Sequence, residues 1–341
     1  MLRALARHEA VSVAEMHAAF GVVMRGEATP AQAAGLLMGL RARGESADEL
    51  AGAARALRDA MLPLVVPRAD ELVDTCGTGG GSLSTFNIST AAAFVAAAAG
   101  VRVAKHGNRS FTSRCGSADV IEALGVPLDV PVAVMAEVLT RAGIVFMFAP
   151  LMHPAMRHLG PIRKELAVPT IMNAIGPLAN PASARRQVIG VGDPARLELM
   201  AAAVRTLGTT HALVVHGAPG LDEISPLGRT DVIEICGDIE VRRWSIDPAE
   251  YGLAGGTADA LAAGGPTENA ALITQVLRGQ GPPAARAAVA LNAAAAIYVA
   301  GRAPSYGDAV TIAVAALDAG QGFDAFEQML TAYRAARAHS E

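Results

Sequence analysis

Residues 1–65 carry apolar side chains at helical spacing. Leu50, Ala54, Leu57 and Met61 fall at i, i+4, i+7 and i+11, which aligns them as one stripe on a helix. Three capping boxes punctuate the same region: Ser12 with Glu15, Thr29 with Gln32, and Ser46 with Glu49. Each sets a hydroxyl three residues ahead of a Glu or Gln, so that unpaired N–H groups at a helix start are satisfied reciprocally. Pro30 occupies the first helical position after Thr29, where its missing N–H costs nothing. The pattern predicts a bundle of about four short helices, which the chain leaves at Pro63 and Pro67.

From Glu71 the period changes. Apolar runs at Leu72–Cys76, Val101–Lys105, Ile144–Phe148, Gln187–Val191, Ala212–His216 and Val232–Cys236 read as strands. Most segments between them are long enough for crossover helices, so a largely parallel sheet is predicted. The fold class is therefore α/β. A small N-terminal helical domain (residues 1–67) precedes a larger α/β domain (68–341) with a mostly parallel central sheet. Such sheets bind ligands beyond the carboxyl ends of their strands, which singles out the segments that follow each run.

The first of these, Asp74 to Thr90, reads DTCGTGGGSLSTFNIST. Gly77, Gly79, Gly80 and Gly81 leave the main chain bare, so a ligand can reach N–H groups that Cβ atoms would shield. Thr85, Asn87, Ser89 and Thr90 follow, and an unbroken alanine-rich segment runs on to Gly100. Strand, glycine loop and helix start together favour an anion, most often phosphate. No Gly-Lys-Ser/Thr ending makes this a Walker loop, and no acid closes a dinucleotide-binding unit. A lysine arrives instead, in VRVAKHGNRS from Val101 to Ser110. Lys105 is a mobile cation able to meet a phosphate. Gly107 and Asn108 favour a turn that tolerates positive φ. Arg109, Ser110, Thr112, Ser113 and Ser117 supply donors around it, and His106 reads as a structural histidine.

Two further segments add chemistry. Between Phe146 and Leu178, His153, Arg157, His158 and Arg163 lie beside an apolar wall of Phe146, Met147, Phe148 and Met152. A planar aromatic carboxylate needs such a slot with a guanidinium at one end. Arg163 suits that fork, whereas Arg157 and His158 read equally well as helix-surface cations. His216 to Ser225 reads HGAPGLDEIS. Its adjacent Asp222 and Glu223 suit Mg²⁺, a hard cation that shares oxygen ligands with substrate phosphates.

Composition narrows the classes. The 341-residue chain has a net charge of −4 and no long charged run, which argues against electrostatically driven nucleic-acid binding. It is 52% hydrophobic but only 4% aromatic, so helices must pack through small residues. Cys76, Cys115 and Cys236 are odd in number and lack CxxC spacing, as expected of free thiols in a reducing compartment. No run approaches the ~18 apolar residues of a membrane span. Charges interrupt the N-terminus, unlike a signal peptide, and the cytoplasm is the expected location.

GTGG, TFNIST, AKHGNRS and GSADVIEALG, as they stand here, resemble motifs of the anthranilate phosphoribosyltransferases. That family belongs to the class built on the nucleoside-phosphorylase type of fold. The likeness spans residues 5 to 335. It implies transfer of the phosphoribosyl group of phosphoribosyl pyrophosphate to the amine of anthranilate, a step toward tryptophan. It implies that the donor is held by Gly77, Gly79, Gly80, Gly81, Thr85, Asn87, Ser89, Thr90, Lys105, Gly107, Asn108, Arg109, Ser110, Ser113 and Ser117. It assigns anthranilate to Gly77, Asn108, His153 and Arg163, and Mg²⁺ to Ser89, Asp222 and Glu223. Lys105, Asn108 and Arg163 are the implied catalytic residues, and a homodimer through the helical part is the implied assembly. Glu268, Asn269 and the segment Leu291 to Gly301 also match and read as scaffold. One position departs: the family's GTGGD ends here in Gly81, so the loop keeps its backbone donors and loses a carboxylate. The alternatives are a pyrimidine nucleoside phosphorylase, a non-catalytic nucleic-acid-binding relative, and a phosphoribosyltransferase with another aromatic acceptor.

Overall fold

A computed structural model describes residues 1–110, 114–237 and 240–338. Its first four helices are Leu2–Ala6, Val13–Met24, Pro30–Arg43 and Ala47–Asp59. The last three begin at the expected capping boxes, with Ser12, Thr29 and Ser46 each accepting the N–H three residues on. Leu50, Ala54 and Leu57 are buried, as the stripe requires, whereas Met61, its expected fourth member, lies past the helix end and is half-buried.

Among the described residues seven strands form one sheet: β1 (Val73–Gly77), β2 (Val103–Gly107), β3 (Ile144–Phe148), β4 (Arg186–Gly190), β5 (His211–Gly217), β6 (Thr230–Cys236) and β7 (Glu240–Ile246). Their order is β3-β2-β1-β4-β5-β6-β7. The first five pair in parallel, and β6 and β7 add an antiparallel edge. That edge is the one departure from the expected sheet. β7 reads EVRRWSI, with Arg242 and Arg243 exposed. Its charge obscures a strand pattern in sequence and protects an open edge in the fold.

The topology fixes where a ligand belongs. From β1 the chain winds outward through β2 and β3, then returns to the other side of β1 for β4 and β5. The order reverses between β1 and β4, and a doubly wound sheet opens a crevice at such a switch point. Gly77 and Gly190 face each other there, at the carboxyl ends of the two strands.

The sheet separates two cores. Leu213 and Val215 face one of them, with the alanine-rich helices Ile88–Ala98 and Pro283–Val299. Ala212 and Val214, on the alternate face, pack into the other with the first four helices and residues 155–179. Nearly the whole of Pro283–Val299 is buried, and most of its residues are Ala. Side chains of one carbon let this helix press closely on the sheet. None of the three cysteines is in a disulfide, and among the described residues no helix is long and apolar enough to cross a membrane.

Candidate active site

The glycine loop leaves β1 and crosses the end of β4. Gly79 and Gly80 have φ of +67° and +78°, which a β-carbon would strain. The loop lies so close to its neighbours that side chains are excluded elsewhere too. A Cβ on Gly192 would come within 2.6 Å of the Gly79 carbonyl oxygen, and one on Gly77 within 2.6 Å of Asp222 Oδ2. Thr78 donates its N–H to the Gly190 carbonyl and accepts from the Gly192 N–H.

The acid pair closes the opposite wall. Asp222 Oδ2 accepts the Gly79 N–H at 2.9 Å. Glu223 Oε1 accepts the Ser89 N–H, at the start of helix Ile88–Ala98, at 3.2 Å. Glycine loop, helix start and acid pair therefore share one crevice, although about 140 residues separate them in sequence. Asn292 holds the acid loop from behind. Its side chain accepts from the Ile224 N–H at 2.9 Å and donates to the Ile224 carbonyl at 2.8 Å.

The electrostatics of the pair follow from burial. Desolvation raises both carboxyls, and the neighbouring Asp222 charge helps to push Glu223 up to about 8. Two adjacent carboxylates in a shielded crevice need a cation. Lys105 supplies one: it is 3% exposed, and its Nζ donates to the Thr75 carbonyl and to Ser89 Oγ. It is a fixed charge beneath the helix start, not the mobile one its sequence position suggested, and burial lowers its pKa. Ser89, Asp222 and Glu223 offer only oxygen ligands, and their unbalanced negative charge fits a hard divalent cation.

The turn after β2 forms a second wall. Gly107 lies against Ser117 and the Phe146 ring, where a Cβ would come within 2.2 Å of Ser117 Oγ. Ser117 Oγ donates to the Asn108 carbonyl. Arg109 turns outward onto Asp119 and Glu122, at 2.9 and 2.8 Å. Thr112 and Ser113 lie outside the described residues. Thr85 pairs with Ala262 in an isolated bridge, and Thr90 is buried. Asn87 precedes the helix without capping it: its side chain meets the Cys115 carbonyl and Asn269.

The His106 and His153 rings pack at a tilt of 59°, with centroids 5.0 Å apart. Burial lowers both, His106 to about 3 and His153 to about 4, with the two rings' proximity also opposing charge on His106. His106 is thus joined to the residue assigned to the acceptor. Arg163 is half-buried on helix Gly160–Leu166, and desolvation lowers its pKa. Arg157 is exposed, and the His158 ring packs on Gly26 of the helical bundle.

The chain matches known proteins over nearly its whole length. The helical bundle domain of a glycosyl transferase family covers residues 1–61, and the family's a/b domain covers 69–323. Anthranilate phosphoribosyltransferase from Thermomicrobium roseum is 46% identical over 331 residues, 96% of this chain and 95% of that one. The chain belongs to the anthranilate phosphoribosyltransferase family. The family enzyme from Thermus thermophilus superposes with a TM-score of 0.92 at 42% identity, covering 98% of this chain and 99% of that one. The Saccharomyces cerevisiae family member, solved in complex with PRPP and Mg, gives 0.89 at 25% identity, covering 98% and 97%.

Against the family pattern, the glycine at position 81 has a structural counterpart. A Cβ there would come within 2.6 Å of the Gly220 carbonyl oxygen. An aspartate would require the loop to draw back from the 217–220 turn. Three other features escape a reading by motif. Asn292 is the polar side chain within the apolar run 287–297, and that isolation is its one sequence signal. Gly190 and Gly192 flank Val191 at the end of β4 and are needed only because the Asp222 main chain crosses the first and the glycine loop the second. The packing of His106 on His153 depends on tertiary contact alone.

Proposed function

We propose that this chain transfers the 5-phosphoribosyl group of phosphoribosyl pyrophosphate to the amine of anthranilate, releasing pyrophosphate. One observation carries the reading: Gly79 and Asp222, and Ser89 and Glu223, meet in a single crevice at the sheet's switch point. Main-chain N–H groups of Gly80 and Gly81 face the donor's diphosphate, beside the Gly79 N–H that Asp222 takes, and Ser89, Asp222 and Glu223 would hold Mg²⁺. When bound, Mg²⁺ neutralises the diphosphate and the charge that develops on it as it leaves. Lys105 adds a fixed positive charge beneath Ser89. An aromatic amine is neutral near pH 7, so attack on ribose C1 needs no strong base. Catalysis is then positioning plus electrostatic stabilisation.

Asn108, His153 and Arg163 form the acceptor side in this reading, with the Arg163 guanidinium on the anthranilate carboxylate. The uncharged His106–His153 pair adds two buried rings beside it. We infer a division at residues 1–67 and 68–341, a homodimer through the helical part, and a cytoplasmic location. Loss of anthranilate fluorescence, with phosphoribosyl pyrophosphate and Mg²⁺ present, measures the reaction. Arg163→Ala raises the Michaelis constant for anthranilate about tenfold or more, whereas Ser89→Ala chiefly impairs use of the donor. Phosphorolysis of thymidine or uridine without anthranilate turnover would replace this reading with a nucleoside phosphorylase. An unchanged anthranilate Michaelis constant in Arg163→Ala would refute the acceptor assignment.

A further inference from the structure

His211 opens β5, Cys236 closes β6, and the antiparallel register sets them directly opposite each other. Glu234 lies two residues before Cys236 and so on the same face of the sheet. Opposed residues hold their Cβ atoms about 4.5–5.5 Å apart, so the register itself brings these three side chains together. His211 Nε2 lies 2.8 Å from Glu234 Oε1, and Cys236 Sγ lies 3.6 Å from the same oxygen. One ligand atom from each residue falls within 4.8 Å of the other two. The cluster sits at the start of β5, whereas the acid pair follows the end of that strand. A seven-residue strand separates them by on the order of 20 Å.

The surroundings orient the carboxylate. Trp244 Nε1 donates to Glu234 Oε2 at 2.9 Å, and the Tyr298 hydroxyl donates to Oε1 at 2.8 Å. The His211 ring packs edge-on against Tyr298, with centroids 5.0 Å apart. Glu234 is buried, while His211 and Cys236 are half-buried and leave solvent an approach. The donor set is one imidazole nitrogen, one carboxylate oxygen and one sulfur. Hard Mg²⁺ has no use for the sulfur, but a borderline ion accepts all three. Three such ligands plus a water complete a tetrahedron. Trp244 and Tyr298 provide the outer hydrogen bonds that hold ligating carboxylates in place.

We propose that His211, Glu234 and Cys236 form a binding site for a borderline divalent metal ion, Zn²⁺ in the first instance, separate from the Mg²⁺ crevice. On binding, the Cys236 thiol releases its proton to solvent. The His211 proton resides on Nδ1, leaving the Nε2 lone pair for the ion. The hydrogen bonds that now link His211 and Cys236 to Glu234 are replaced by bonds through the metal.

Titration of the EDTA-treated full chain with Co²⁺ tests the proposal, because a thiolate ligand gives a near-ultraviolet charge-transfer band alongside intense tetrahedral d–d bands. The expected result is one such site per chain, displaced by Zn²⁺ and unaffected by excess Mg²⁺. Cys236→Ser abolishes the charge-transfer band, Cys76→Ser keeps it, and Tyr298→Phe weakens Co²⁺ binding roughly tenfold. Zn²⁺ raises the melting temperature of the parent and leaves that of His211→Gln unchanged, a readout that stands even where Cys236→Ser folds poorly. Absence of the thiolate band in the parent, or its persistence in Cys236→Ser, overturns the assignment. So does Co²⁺ bound by oxygen ligands alone.

Discussion

Asn292 shows how much a single residue can hold. Its amide meets both the N–H and the carbonyl of Ile224, the residue after the acid pair. Asn292→Ala leaves both groups buried without a partner, at about 1–3 kcal/mol for each. Urea unfolding should register a loss of roughly 2–6 kcal/mol. The Mg²⁺ concentration for half-maximal rate should rise several-fold while the Michaelis constant for anthranilate holds steady. Loss of stability with an unchanged Mg²⁺ requirement would show that Asn292 only packs the helix. Residues whose role is chemical were legible in sequence: the glycines, Ser89, Lys105, Asp222 and Glu223 stand out by type and by their place after strands. Residues whose role is support were not. Asn292 and Gly190 acquire their roles only when the chain folds back on itself. Lys105 was found by type, but its burial beneath Ser89 was not foreseeable, because exposure is a property of the assembled crevice.

At the scale of elements, local signals predicted local structure. The capping boxes at Ser12, Thr29 and Ser46 need only the neighbouring turn, and all three form. Glu49 goes further. It accepts the Ser46 N–H and pairs with Arg43 while itself 0% exposed. Glu49→Ala removes the carboxylate half of the capping box of helix Ala47–Asp59 and leaves the Arg43 guanidinium without its buried partner. Breaking a buried pair this way costs about 3–5 kcal/mol, so the urea midpoint should fall markedly. A shift worth under about 1 kcal/mol would mean that solvent already relieves the Arg43 charge. Strand pairing is another matter. Expected and observed strands coincide within one or two residues, but nothing in the β6 pattern announces an antiparallel partner. β7 is disguised by its outward arginines. Register and direction depend on connections and on the opposite strand, which lie outside any local window.

For the whole molecule, the decisive feature is the strand order. The reversal between β1 and β4 puts the glycine loop over the crevice, and no stretch of sequence encodes that order by itself. The two cores on either side of the sheet also bury charge-averse groups. His106 and His153 titrate near 3 and 4, against an ordinary 6.5, chiefly because burial disfavours the imidazolium. The sign follows: between the folded and unfolded values the unfolded chain binds more protons, so stability rises with pH there. The contribution is complete above about pH 6.5 and declines as the pH falls toward 4. Melting temperature measured across that window should drop on acidification, and His153→Gln should flatten the slope. An equal slope in the variant would assign the acid sensitivity to other groups.

The central claim is that bare main chain at residues 79–81 and the acids at 222–223 grip one diphosphate through a shared cation. Calorimetric titration of phosphoribosyl pyrophosphate, with and without Mg²⁺, tests it in the parent and in Asp222→Asn/Glu223→Gln. The account predicts that Mg²⁺ tightens binding to the parent about tenfold or more and has little effect on the double variant. The same Mg²⁺ dependence in both proteins would contradict it.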